Sequence, residues 1–251
     1  MSTDLSVPAS RFIALDPANT RLQAFKANLA ASGESMGPGD LIRVKTPSGG
    51  GTKWEVSDGL GSSEMVDAIT GVLVLYQPCG VLWPSEELSE GQKPVLRTFD
   101  LQTAEQVGPI PDDMLETLAK YKIGERTYNW RDLPYNQFGS GKGGFGKRCK
   151  EQRMMFILRE NDAFPVWLTV QPGSLKIVTG FIKKLAGECP YWQSIVELKL
   201  IKDRSTGGQP FSSIVPRLVG KLSDEDAARV KEEYTDTLAK LIGRLEIESG
   251  D

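Results

Sequence analysis

The chain has 251 residues, 39% of them apolar and 25% charged, with a net charge of −3; this is an ordinary balance for one large folded domain or one domain with extensions, and it argues against wholesale disorder. It contains no histidine, which excludes the usual general base, the commonest metal ligand and every Ser-His or Cys-His nucleophile. The three cysteines, Cys79, Cys149 and Cys189, are widely spaced with no Cys-x-x-Cys, and MSTDLSVPAS lacks a leader's basic-then-apolar order, so a reduced, cytoplasmic protein away from the membrane is expected.

In chain order, residues 1–40 carry one amphipathic patch, RLQAFKANLA, which predicts a short helix on an otherwise loose arm. LIRVKT (41–46) and TKWEVSD (52–58) alternate apolar and polar residues around PSGGG, which reads as a hairpin. AITGVLVLYQPCGVLW (68–83) is interrupted by Pro78 and Gly80 and predicts two core strand segments, and VLRTFDLQT (95–103) predicts one strand. A helix is expected over DDMLETLAKYK (112–122), then strands over MMFILRE (154–160) and FPVWLTVQP (164–172). SLKIVTGFIKKLAGE (174–188) has apolar residues at helical spacing, with Ser174 as the candidate N-cap. SIVELKLIKDRS (194–205) and FSSIVPRLVGKL (211–222) predict a second hairpin, and Ser223 opens a last helix with acids in its first turn. Strands and helices do not alternate, which disfavours a doubly wound parallel sheet. The expected fold is mainly β with peripheral helices (α+β): an OB-like antiparallel barrel over 41–222, an N-terminal arm over 1–40, and a C-terminal helix with an acidic tail over 223–251.

The chemistry-bearing stretch is NQFGSGKGGFGKRCKEQR (136–153), with five glycines, Phe138 and Phe145, five cations and one acid, Glu151. Residues 141–147 match the first seven positions of a phosphate-binding P-loop, but Arg148 stands where a Ser or Thr must ligate magnesium, and the preceding TYNWRDLPYNQ is not a buried strand. A different reading is that Lys142, Lys147, Arg148, Lys150 and Arg153 lie along a nucleic-acid backbone while Trp130, Tyr135, Phe138 and Phe145 stack on unpaired bases. The competing reading is a solvated connection whose rings anchor it to the core.

The run FGSGKGGFGKRCK (138–150), the helix start PGSLK (172–176) and the final strand pair resemble a group of bacteriophage and mobile-element single-stranded DNA-binding proteins, with the similarity covering about residues 68–222. The resemblance implies a non-catalytic, OB-like module acting on single-stranded DNA in replication or recombination, in an infected or host bacterial cell. It also implies oligomeric or cooperative binding; the acidic C-terminal region, with nine acids and five bases from Lys221 to Asp251, offers contacts to replication or recombination proteins, although a capped helix start and a polar end explain most of its acids. Members of the group often carry cysteines just ahead of the glycine stretch, as half of a metal site; here that position reads NWRDLPYNQFG, so no metal and no cofactor is expected. Two alternatives stay open: a metal-dependent nuclease using Asp112-Asp113 or Asp224-Glu225-Asp226, and an interaction protein whose basic loop grips an acidic partner.

Overall fold

A computed structural model describes residues 11–15, 24, 27–28, 31–33, 41–47, 49–57, 62–87, 91–205, 208–236 and 238–239. In chain order the elements are β1 (Arg43–Lys45), β2 (Trp54–Ser57), β3 (Ser63–Val66), β4 (Ala68–Leu82), β5 (Leu96–Thr98), β6 (Thr103–Gln106), α1 (Asp112–Ala119), β7 (Thr127–Asn129), β8 (Lys150–Leu158), β9 (Val166–Val170), α2 (Pro172–Ala186), β10 (Ser194–Arg204), β11 (Pro210–Lys221) and α3 (Asp224–Val230). The chain forms two compact units, one of residues 1–76 and 154–241, the other of 77–153 and 242–251. Most of the 1–40 arm and the acidic end EIESGD lie outside the described residues; Ala24, Ala27, Asn28, Ala31 and Ser32 are helical.

In the first unit, β1, β2 and β3 form an antiparallel meander, β1 pairs in parallel with β9, and β10 pairs antiparallel with both β4 and β11. The sheet is therefore mixed, and it is open. The expected barrel does not close, because among the described residues β11 pairs only with β10. Two local features explain the open seam. One edge of β9 is taken by β1, through Arg43 opposite Trp167 and Val44 opposite Leu168. On β11, the N–H of Ile214 points away from β10 and donates to the buried Ser174 Oγ at 3.0 Å. Pro216 lies two residues on, so its missing N–H faces the same unpaired edge, where a proline removes no ladder bond.

Ser174 was expected to cap α2. The helix instead begins at Pro172, whose fixed φ and absent N–H suit a first helical position, and this leaves the serine hydroxyl for β11. Leu175, Val178, Phe181, Ile182 and Leu185 face Trp54, Ile69, Leu73, Ile157, Leu168 and Leu198 in the core. Trp54 is fully buried, and its indole N–H donates to Leu198 O at 2.9 Å. Gly71 is required where β4 approaches β8, since a Cβ there would sit 2.3 Å from Leu158 O. The first turn of α3 is capped as expected, with Ser223 Oγ accepting the Asp226 N–H at 3.1 Å.

The second unit is a meander in the order β4-β5-β6-β7, with α1 between β6 and β7. Two predicted elements change here. The segment 68–83 is one strand rather than two, because Pro78 falls between the residues that pair with β10 (68–72) and those that pair with β5 (80–82), so its missing N–H takes nothing from either ladder. Conversely, 95–103 is not one strand. Its chain reverses at Asp100, whose carboxylate accepts the N–H of Gln102 at 2.7 Å, the N–H of Thr103 at 2.9 Å and the Thr98 hydroxyl at 3.0 Å, while Leu101 takes a positive φ of 60°. β3 and β7 were not expected; both are short, and β3 is exposed along most of its length, leaving little apolar alternation to read.

Ser174→Ala strands a buried N–H and is expected to lower unfolding free energy by about 1–3 kcal/mol in urea denaturation. At Asp100, burial raises the carboxyl pKa, but the hydrogen bonds from Gln102, Thr103 and Thr98 outweigh it and hold the pKa below its ordinary value. Its contribution is therefore present above the unfolded-state pKa and lost as pH falls through the lowered one. Asp100→Asn should flatten the acid limb of a stability-versus-pH curve; an unchanged limb would count against the turn's role.

Candidate nucleic-acid interface

The core of the second unit is built from Leu82, Val95, Leu96, Met114, Leu118, Tyr128, Trp130, Leu133 and Cys149. Trp130 is 0% exposed, and a Cβ at position 80 would come within 2.7 Å of its ring, so Gly80 is what seats it. A ring without accessible surface cannot stack on a base, so Trp130 leaves the set of stacking candidates. Tyr135 is half-buried against the same core, with the Arg148 guanidinium over its ring at 5.1 Å from the centroid. Arg148 also donates to Pro84 O at 2.8 Å, and its Nε is buried with no hydrogen-bond partner among the described residues. Arg148 is thus turned inward as a brace, contrary to its expected place on the surface.

The glycine stretch that follows is hydrogen-bonded across its neck. Gly139 N–H donates to Gly146 O at 2.7 Å, and Cys149 N–H to Tyr135 O at 2.8 Å. Ser140 Oγ accepts the Arg148 N–H at 3.0 Å and shares its single proton between Tyr135 O at 2.8 Å and Gln137 O at 2.7 Å. Gly139, Gly143, Gly144 and Gly146 all have positive φ, which accounts for glycine at those positions. From this frame two rings project into solvent: Phe138 is 82% exposed and Phe145 81%. Large apolar side chains held that far out are the surface feature that folding does not explain.

The cations are arranged differently from the expected concentrated patch. Lys150 and Arg153 belong to β8, three positions apart, so they point to opposite faces of the strand. Lys150 Nζ donates to Lys147 O at 2.7 Å, and Arg153 Nη1 to Gln152 O at 2.8 Å. Lys147 Nζ lies 2.6 Å from Glu151 and 3.2 Å from Asn136 Oδ1. Lys142 Nζ lies 2.7 Å from Glu87, and the Lys142 N–H donates to both oxygens of Glu86, at 2.9 and 2.7 Å. A shallow recess of about 320 Å³ is lined by Glu86, Glu87, Ser140, Gly141, Lys142 and Arg148. The five cations therefore share their surroundings with three carboxylates rather than one. Glu86 and Glu87 were missed by the sequence reading; their signal was the acidic run SEELSE, opposite in sign to GKGGFGK, but only the fold brings the two together.

The remaining ionisable groups have local explanations. Asp112 and Asp113 occupy the first turn of α1, and Asp224, Glu225 and Asp226 that of α3, where acids complement the helix dipole. Among the described residues, no group of three metal-capable side chains lies together. A cleft of about 750 Å³ in the first unit contains Arg11, Arg159 and Arg217, but each pairs with an acid: Glu160 at 2.6 Å, Asp162 at 2.5 Å and Glu197 at 2.6 Å. Among the described residues no helix is long and apolar enough to cross a membrane. No family model matches the chain, and no curated protein or solved structure matches it.

Burial pushes the thiols of Cys79 and Cys149 up to about 12. At pH 8 neither should react with an aromatic disulfide reagent until the protein is unfolded. Ser140→Ala should speed amide hydrogen exchange at Arg148, whose acceptor it removes; unchanged exchange there would contradict the neck's hydrogen bonding.

Proposed function

We propose that the protein binds single-stranded DNA without sequence preference and without catalysis, through the braced loop 136–149. The observation that carries this reading is the pair Phe138 and Phe145, held more than four-fifths in solvent by a hydrogen-bonded frame with Lys142, Lys147 and Lys150 close by in sequence. Stacking on an unpaired base needs an exposed flat apolar face and no particular sequence, and nearby cations add a salt-sensitive attraction to phosphates. A duplex offers no such base faces, which favours a single strand over double-stranded DNA.

Connectivity supports the same reading. Strand β4, strand β8, strand β9, helix α2 and the β10–β11 hairpin follow one another as five strands and one helix do in an OB arrangement, with antiparallel β4–β10 and β10–β11 pairs. The OB fold is often partly open, and it binds oligonucleotides with the loops joining its first to second and fourth to fifth strands. In this correspondence β5, β6, α1 and β7 are inserted where the first of those loops stands, and the glycine stretch that ends the insertion carries Phe138 and Phe145. The resemblance of FGSGKGGFGKRCK to phage and mobile-element strand binders adds a role in replication or recombination in a bacterial cytoplasm, with several copies cooperating on one strand and partner proteins recruited through the C-terminal region. A nuclease is the weaker reading, since the acid runs have helix-terminal explanations.

The test is fluorescence anisotropy with labelled oligo(dT), duplex and RNA at two salt concentrations. Phe138→Ala and Phe145→Ala should each weaken oligo(dT) binding by about 1–3 kcal/mol with little change in thermal stability. Lys147→Gln should lower the salt slope by less than one unit, because Glu151 at 2.6 Å already offsets part of its charge. Arg148 is unsuitable for this purpose because its removal disturbs the core. Binding unaffected by both phenylalanine changes would overturn the assignment, and retention of an acidic protein partner instead would favour the interaction-protein reading.

A further inference from the structure

Lys142 is held at both of its donor positions by carboxylates from a segment more than fifty residues away in sequence. Its backbone N–H is taken by Glu86 and its ammonium by Glu87. We propose that Glu86 and Glu87 form a tethered competitor for the phosphate backbone, occupying on Lys142 the positions that two phosphate oxygens take when a strand binds, so that binding proceeds by exchange of carboxylate for phosphate. This rests on the strand-binding reading above and specifies how that site is regulated.

Three observations support the exchange. The contacts are those a phosphodiester makes with a loop of this kind, an anionic oxygen accepting one main-chain N–H and one ammonium proton. The side chains of the outer pair, Lys142 and Glu87, are 72% and 82% exposed, and ion pairs so open to water are weakly held and readily displaced. The acids lie on residues 83–87, which follow the end of β4 and belong to no ladder; the Glu87 N–H donates to Ser85 Oγ at 3.1 Å, a local turn contact that does not fix either carboxylate. The glutamates can therefore swing off Lys142 without breaking any strand pairing.

The salt dependence should report the exchange. A strand contacting a free cation releases a condensed counterion from the nucleic acid, whereas a displaced carboxylate takes up a cation of its own and offsets that release. With the competitor in place, Lys142 contributes little net ion release. Without it, the contribution appears.

The experiment compares oligo(dT) binding by the full chain, by Glu86→Gln/Glu87→Gln, and by Glu116→Gln/Glu125→Gln, which removes the same formal charge from exposed positions in the same unit. The glutamine pair at 86 and 87 should raise affinity at low salt by about tenfold and steepen the salt slope by about one unit, while the control pair leaves the slope unchanged. Thermal midpoints confirm folding, and if the double variant is unstable, Glu87→Gln alone carries the test through the exposed pair. Affinity and slope of the Glu86→Gln/Glu87→Gln protein matching those of the control pair would overturn the competitor and leave strand binding standing. Absence of strand binding by every protein would overturn the function itself, and the competitor with it.

Discussion

The second unit is organised around a buried ring. Trp130 lies at 0% exposure because position 80 carries no side chain to obstruct it, and the chain leaving it passes through a tight turn at Pro134–Asn136 into the glycine stretch. Arg148 returns over Tyr135 and reaches Pro84, so both ends of the loop are fastened to one core. Two loop phenylalanines are held in water on a frame anchored in this way. On an unbraced loop they would be free to fold back onto apolar surface.

The balance of forces at the loop also differs from a simple reading of charge. Lysines paired with glutamates at the surface contribute little to stability and only part of their charge to the outside field. Arg148, desolvated and stacked, contributes to folding instead of recruitment. The rings, left in solvent by folding, are the surface on which the proposed strand binding rests, and the cations would set how strongly salt opposes it.

Much of this was legible in the sequence, for definite reasons. β10 and β9 declare themselves through alternation, β11 as the return strand after the turn TGGQP, and α3 through a serine followed by acids, because in each case a local pattern is sufficient. The candidate site was legible as the stretch 136–153, and of its rings the structure leaves Phe138 and Phe145 in solvent. Illegible were the features that depend on long-range partners: Ser174 serving β11 instead of its own helix, Trp130 dry beneath Gly80, and Glu86 and Glu87 meeting Lys142. The extension of β8 back to Lys150 was missed because KEQR has no apolar alternation, and it is this extension that separates Lys150 from Arg153.

The absence of histidine and the burial of all three thiols combine to give a property of the whole molecule. The thiols of Cys79 and Cys149, pushed up to about 12 by burial, stay far from titrating at neutral pH, and the chain lacks the one side chain whose ordinary titration falls between about pH 5 and pH 8. Acidity in that range therefore has no imidazole and neither of these thiols to act through, whereas ionic strength acts directly on exposed pairs such as Lys142 with Glu87.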